Sequence, residues 1–254
     1  MHDDFTQERA LQKNRVRRRG IYLLPNLFTT AALFAGFYAI VQAMNLTFDR
    51  AAIAIFVAML LDAADGRVAR MTKTQSAFGA EYDSLSDMVS FGAAPALVMY
   101  EWVLRDMDKL GWIAAFVYCA CAALRLARFN TMLDVADKRW FTGIPSPAAA
   151  ALVAGCVFIV DDYNIDPLAV MWWAWFVTMF AGLTMVSNLK YWSFKTINLK
   201  KSVPFLAVCG IVFAIALLAY QLSIALFAGF VAYAISGYVI SGWLLLRRRR
   251  AARR

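Results

Sequence analysis

Four aspartates lie inside otherwise apolar stretches, where ionisable side chains are costly and usually functional. Asp62 and Asp65 belong to the segment LDAADGRVAR, and Asp83 and Asp87 belong to GAEYDSLSD. At about 100° per residue, the first pair shares one helix face with Ala69, and the second pair shares one face of the next helix. Because the linker between the segments is short, we expect antiparallel neighbouring helices whose carboxylates face each other near the cytoplasmic membrane surface.

Facing carboxylates in a medium of low dielectric repel one another and stay ionised only if cations neutralise them. Ligand sets made only of oxygen suit Mg²⁺, Mn²⁺ or Ca²⁺. Two such ions bridged by carboxylates serve in-line displacement at phosphorus. The small residues Gly66, Ala69 and Gly79 leave room for a bulky ligand close to the helix backbone. The pattern therefore predicts a metal site for phosphoryl-group transfer.

Two other interpretations explain the four aspartates less well. Ion pairs between helices, with Arg67, Arg70 or Arg125 as partners, would account for one or two carboxylates but not for four on converging faces. A proton or cation pathway would favour single acids near the middle of the membrane, spread over several helices.

The composition places these segments in a membrane. The chain has 254 residues, is 62% hydrophobic and has a mean hydropathy of +0.58. A spanning helix needs roughly 20 mostly apolar residues, and the sequence predicts an all-α protein with eight such helices. The expected spans are residues 22–44, 49–70, 80–104, 110–130, 145–160, 168–188, 202–220 and 222–246.

The charges of the linkers predict the orientation. The net charge is +9, and the basic residues cluster in alternate linkers at the ends of apolar runs, which argues against nucleic-acid binding. The positive-inside rule then places both termini in the cytoplasm, as eight spans require. Residues 3–19 are compatible with a helix on the membrane surface or with a disordered arm. No cleavable signal peptide is recognisable, and we expect an integral protein of a bacterial inner membrane.

Zinc chemistry is not expected. All four cysteines lie in apolar stretches, and the only histidine is in the polar N-terminal arm. These five residues are Cys119, Cys121, Cys156, Cys209 and His2. Acid–base chemistry must therefore use carboxylates, lysine, tyrosine or water.

The spacing of eight residues is that of a family motif, D-x2-D-G-x2-A-R-x8-G-x3-D-x3-D. The eight residues are Asp62, Asp65, Gly66, Ala69, Arg70, Gly79, Asp83 and Asp87. The chain thereby resembles the CDP-alcohol phosphatidyltransferases. The resemblance implies a six-helix catalytic core at about 22–188, with an active site open to the cytoplasm. On this basis the chain is divided into a basic N-terminal segment, a catalytic core and a two-helix C-terminal extension, at 1–21, 22–200 and 201–254.

The resemblance also implies roles for individual residues. The ligands of two divalent ions, Mg²⁺ or Mn²⁺, are implied to be Asp62, Asp65, Asp83 and Asp87. Asp87 is in addition implied to be the base that deprotonates the attacking hydroxyl. The residues implied to line the CDP-lipid site are Gly66, Ala69, Arg70 and Gly79. Asn26 could bind the diphosphate, or could instead satisfy backbone groups freed by Pro25.

Further stretches resemble the phosphatidylserine synthase branch of the family, at 19–26 with Thr29, 125–130, 141–147 and 185–195. L-Serine presents a carboxylate, which a guanidinium can grip with two hydrogen bonds. Arg125 and Arg128 are candidates for this contact, although anchoring at the membrane surface or contact with phosphate is an equally good explanation. Pro145 and Ser146 are further acceptor-site candidates through the resemblance.

The function expected from the sequence is transfer of a phosphatidyl group from CDP-diacylglycerol to L-serine, by direct displacement and with release of CMP. One alternative keeps the chemistry and replaces serine with glycerol 3-phosphate or an inositol phosphate. A more distant alternative is a cation-coupled transporter. We expect membrane lipid to surround the protein. The expected role of the last two helices is packing or homodimerisation.

Overall fold

A computed structural model describes residues 25–72, 76–131, 140–192 and 220–251, together with Gly210. The described chain is mostly helical, in agreement with the expected all-α class. The N-terminal segment 3–19 and nearly all of the span expected at 202–220 lie outside the described residues.

The described residues form eight α-helices, numbered α1 to α8 in chain order. They are α1 Pro25–Met44, α2 Phe48–Thr72, α3 Ala77–Asp87, α4 Ala94–Trp102, α5 Lys109–Thr131, α6 Ser146–Asp162, α7 Met171–Val186 and α8 Leu222–Ala251. A π-helical turn, Met88–Ala93, joins α3 to α4. Short 3₁₀ turns precede α5 and α7, at Leu104–Met107 and Pro167–Val170.

In the part of the chain that the structure describes, four helical segments are long and apolar enough to cross a membrane. They are Pro25–Met44, Lys109–Thr131, Pro167–Val186 and Leu222–Leu244. Their lengths, 20 to 23 residues, match the thickness of a hydrocarbon core. The expected total of eight spans and the six-helix core stay predictions.

Helix α6 is the centre of the bundle and packs against α2, α7 and α8, while α5 packs along α7. Its first turns are rich in alanine, and the run Ala148–Ala151 is buried. Small side chains let neighbouring helices approach closely in a membrane. At Gly155, for example, an added Cβ would lie 3.3 Å from the Phe227 ring of α8.

Helix α1 is joined to α3 and to the π-helical turn by buried serines. Ser86 Oγ donates to the Thr29 carbonyl, and Ser90 Oγ donates to the Ala32 carbonyl, each over 3.1 Å. Gly36 permits this approach, because an added Cβ would lie only 2.5 Å from Ser90 Oγ. Thr29 is thereby fixed against the helix that carries Asp83 and Asp87.

Two short strands, far apart in sequence, form an antiparallel pair that the sequence did not predict. Strands β1 (Trp140–Thr142) and β2 (Lys190–Trp192) pair antiparallel, with Phe141 opposite Tyr191. Gly143, with φ +79°, follows β1 and donates its N–H to the Leu189 carbonyl. The pair brings together the segments that follow α5 and α7 and lies against α8.

Candidate active site

Three of the four aspartates converge. One carboxylate oxygen each from Asp62, Asp83 and Asp87 lies within 4.8 Å of the other two. Asp62 comes from α2, whereas Asp83 and Asp87 come from consecutive turns of α3. Helical spacing puts Asp83 and Asp87 on one face of α3, and the group is completed where this face meets Asp62 of α2.

Asp65 is held slightly apart from this group. It is buried, and its Oδ2 accepts a 2.7 Å hydrogen bond from Thr29 Oγ1 of α1. It still lies within hydrogen-bond reach of the Asp83 carboxylate. Asp65, one turn after Asp62 in α2, therefore connects the three converging acids to α1.

The donor atoms suit a hard divalent cation. The Asp83 carboxylate interacts with the like charges of Asp65 and Asp62, and Asp87 interacts with Asp62 and Asp83. Asp83 Oδ1 is buried and has no hydrogen-bond partner among the described residues. Such a buried acceptor costs about 1–3 kcal/mol if nothing compensates it. Carboxylate oxygens grouped in this way are ligands that Mg²⁺ and Mn²⁺ accept.

A cavity of about 670 Å³ opens beside the acids. The predicted site residues that line it are Asp62, Asp65, Gly66, Arg70, Asp83, Asp87, Arg125 and Pro145. Four others do not line it, namely Asn26, Gly79, Arg128 and Ser146. The side chain of Ala69 lies outside the described part of the chain.

The two candidate arginines of α5 have different surroundings. Arg125 lines the cavity and donates from Nη1 to Ser146 Oγ over 2.6 Å. Its buried Nε has no hydrogen-bond partner among the described residues. Arg128 instead donates to Asn188 Oδ1 (2.7 Å) and to the Val186 carbonyl (3.4 Å), at the end of α7. Arg125 thus has a donor available for a ligand, while Arg128 joins two helices.

Asn26 and Gly79 face each other away from the cavity lining. A Cβ on Gly79 would lie 3.5 Å from Asn26 Oδ1 and 3.0 Å from Ser76 Oγ, which caps α3. A Cβ on Gly66 would meet only the Arg70 guanidinium, at 3.6 Å and beyond. The two glycines therefore leave free space at different places, and only Gly66 does so in the cavity wall.

Aromatic residues that the sequence interpretation did not select complete the cavity. They are Phe129, Phe141, Phe230 and Tyr233. The last two belong to α8, for which only packing or dimerisation was expected. A search for ionisable residues inside spans does not detect aromatic walls. For the two residues of α8, the sequence signal was their spacing: Phe230 and Tyr233 are three apart on a helix and so lie on the same face.

Comparisons with known proteins identify relatives of the chain. The profile of the CDP-alcohol phosphatidyltransferase family matches residues 22–180. A CDP-diacylglycerol–serine O-phosphatidyltransferase of Helicobacter pylori (strain J99) is 39% identical over 196 residues, covering 76% of this chain and 82% of that protein. Proteins of the same name are 36% identical in Mycobacterium bovis, over 66% of this chain and 60% of that protein. In Methanocaldococcus jannaschii the identity is 39%, over 54% of this chain and 61% of that protein.

Proposed function

The chain belongs to the CDP-alcohol phosphatidyltransferase family, and on this premise we propose that it transfers a phosphatidyl group from CDP-diacylglycerol to L-serine. The products are phosphatidylserine and CMP. The observation that carries the proposal is the convergence of Asp62, Asp83 and Asp87 in a cavity that also contains Arg125. Relatives named for the serine reaction, at 36–39% identity, support the choice of acceptor.

We propose that Asp62, Asp65, Asp83 and Asp87 together hold two divalent ions, Mg²⁺ or Mn²⁺. Bound ions supply charge stabilisation for the diphosphate and for the leaving CMP. Divalent-metal dependence is general in this family. The unpartnered Asp83 Oδ1 supports the assignment, because a cation would satisfy that buried acceptor.

The chain's own groups divide the remaining work. Asp87 is the proposed base, since its carboxylate is in the converging group and faces Arg125 across the cavity lining. A base placed in this way takes the proton of the serine hydroxyl as that oxygen attacks phosphorus. Gly66 and Arg70 are proposed to contact the CDP-lipid in the cavity. Asn26 and Gly79, which face each other outside its lining, are proposed to bind the same substrate at its edge.

Arg125 is the proposed partner of the serine carboxylate. Its Nη1 donates to Ser146, and its buried Nε has no hydrogen-bond partner among the described residues. Pro145 lines the same cavity and precedes Ser146, so the start of α6 shapes this end of the site. Both described contacts of Arg128 hold the end of α7. Arg128 is therefore proposed to support the acceptor site indirectly, by positioning α7.

The chain is an integral membrane protein, as four apolar helices and its family indicate. We propose in addition eight spans, a six-helix core at 22–188 and an active site open to the cytoplasm. The proposed setting is a bacterial inner membrane, and homodimerisation is part of the same proposal. The division at 1–21, 22–200 and 201–254 belongs to the same proposal.

The test is release of CMP by purified protein in detergent micelles containing CDP-diacylglycerol. We expect release that needs both a divalent cation and serine, with phosphatidylserine formed in equal amount. Glycerol 3-phosphate and an inositol phosphate are offered in parallel, and release with one of these instead would reassign the acceptor. The control variant is Asp106→Asn, an exposed acid in the turn before α5, which should behave as wild type. Cation uptake into vesicles without CMP release would favour the transporter alternative.

A further inference from the structure

Helix α8 lies beyond residues 22–180, which the family profile matches, yet it forms part of the cavity wall. We propose that Tyr233 of α8 is a specificity-determining residue that limits the size of the acceptor beside Arg125. The inference rests on the proposed transfer reaction and adds to it a residue outside the matched region.

The position of α8 against the site is fixed by buried contacts. Tyr191 of β2 is fully buried, and its hydroxyl donates to the Ala234 carbonyl over 2.8 Å. Gly237 lies beneath the Tyr191 ring, where an added Cβ would come within 2.2 Å of the ring carbons. Farther along, the Lys190 N–H donates to Ser241 Oγ over 2.8 Å. The register of α8 along the strand pair is therefore defined at each turn.

Tyr233 packs on this anchor and lines the same cavity as Arg125. Its ring centroid is 5.5 Å from that of Tyr191, at an interplanar angle of 48°. Its hydroxyl donates to the Trp192 carbonyl over 3.4 Å. One turn earlier, the Phe230 ring lies 6.3 Å from Phe56 of α2. The Tyr233 side chain is thus supported by packing on the side away from the cavity.

A supported aromatic wall beside a cation selects ligands by size. An acceptor that binds Arg125 shares the cavity with the Tyr233 ring, and a larger acceptor would press on the ring and displace it from Tyr191. One additional methylene in such a pocket changes discrimination by about 10–200-fold. The wall also excludes water, which would otherwise compete with the acceptor for the CDP-lipid.

The experiment compares Tyr233→Ala, Tyr233→Leu and wild type, with Ile235→Ala as the matched control. Ile235 is two residues along α8 and 52% exposed, on another face of the helix. The measurements are KM and kcat for serine, for its larger analogue threonine and for CDP-diacylglycerol, plus CMP release without an acceptor. For Tyr233→Ala we expect KM for serine to rise about tenfold and the preference for serine over threonine to fall about tenfold. KM for CDP-diacylglycerol should stay within twofold.

Unchanged KM and unchanged preference in a folded Tyr233→Ala protein would overturn the inference. So would a fall in kcat alone with a lower Tm, because that result indicates a purely structural role for Tyr233. Should Tyr233→Ala fail to fold, Tyr233→Leu retains most of the volume and is judged by the same preference ratio. If wild-type protein releases no CMP with serine, the proposed function fails, independently of Tyr233.

Discussion

Thr29 offers the sharpest test of how the carboxylates are held. Its hydroxyl donates to Asp65 Oδ2 over 2.7 Å, and both residues are buried. The same hydroxyl lies 3.2 Å from the Pro25 carbonyl in the first turn of α1. Thr29→Val preserves the shape of the side chain and removes the donor. The substitution therefore removes one hydrogen bond from the Asp65 carboxylate and leaves the contact between Ser86 and the Thr29 carbonyl in place.

The magnitude follows from the kind of hydrogen bond that is lost. A hydrogen bond to a charged group contributes about 1.5–3 kcal/mol. Asp65 keeps a backbone hydrogen bond at Gly66, so the lower end of this range applies. About 1.5 kcal/mol corresponds to a roughly tenfold change in an equilibrium constant. Loss of a residue that supports a metal ligand weakens metal binding by about 10–100-fold. We expect the half-saturating Mn²⁺ concentration to rise about tenfold.

The assay is CMP release as a function of Mn²⁺ concentration, at saturating CDP-diacylglycerol and serine. Thr29→Ser restores the donor and should restore the metal dependence. Thr30→Val is the matched control, because the Thr30 hydroxyl contacts the Asn26 carbonyl and the Tyr82 hydroxyl and is exposed. A half-saturating concentration within twofold of wild type for Thr29→Val would refute the reasoning. A Mn²⁺-dependent rise in Tm provides the same comparison without turnover.

Three further changes have defined outcomes. Asp87→Asn should lower kcat by about 10²–10⁴, the usual contribution of a general base; full turnover in the CMP assay would remove Asp87 from that role. Gly237→Ala should destabilise by about 1–3 kcal/mol, because its Cβ would overlap the Tyr191 ring. An unchanged Tm in detergent would contradict this contact. Tyr118→Phe should cost about 1 kcal/mol, since the Phe91 carbonyl loses a buried 3.1 Å hydrogen bond. Thermal unfolding measures that loss, and equal Tm values would disprove it.

Local spacing explains how much of the site the sequence could predict. Asp62 and Asp65 are a helical interval apart on one segment, and so are Asp83 and Asp87 on the next, so the face of each pair follows from the geometry of a single helix. The family resemblance drawn from the same motif is confirmed by the profile match over residues 22–180. Four of the described helical segments likewise follow from apolar runs long enough to cross a bilayer.

Contacts between distant segments were not predictable in this way. Arg125 and Arg128 are three apart on α5 and equivalent by charge, yet Ser146 of α6 meets one and Asn188 after α7 meets the other. Which guanidinium reaches the cavity depends on how α5 packs against α6 and α7. The strand pair that holds Tyr191 against α8 depends on segments that are far apart in sequence, so local propensity does not reveal it.

The sequence by itself predicted the chemistry proposed for this protein: lipid cannot solvate four charged carboxylates, and bound cations would neutralise them. Tertiary structure alone decided which groups meet. It brought three of the acids within 4.8 Å of one another, held Asp65 through Thr29, and placed Tyr233 of the last helix in the cavity wall. The physical reason is that a repeat fixes the direction of side chains around one helix axis, whereas distances between helices depend on how small and large residues pack across them.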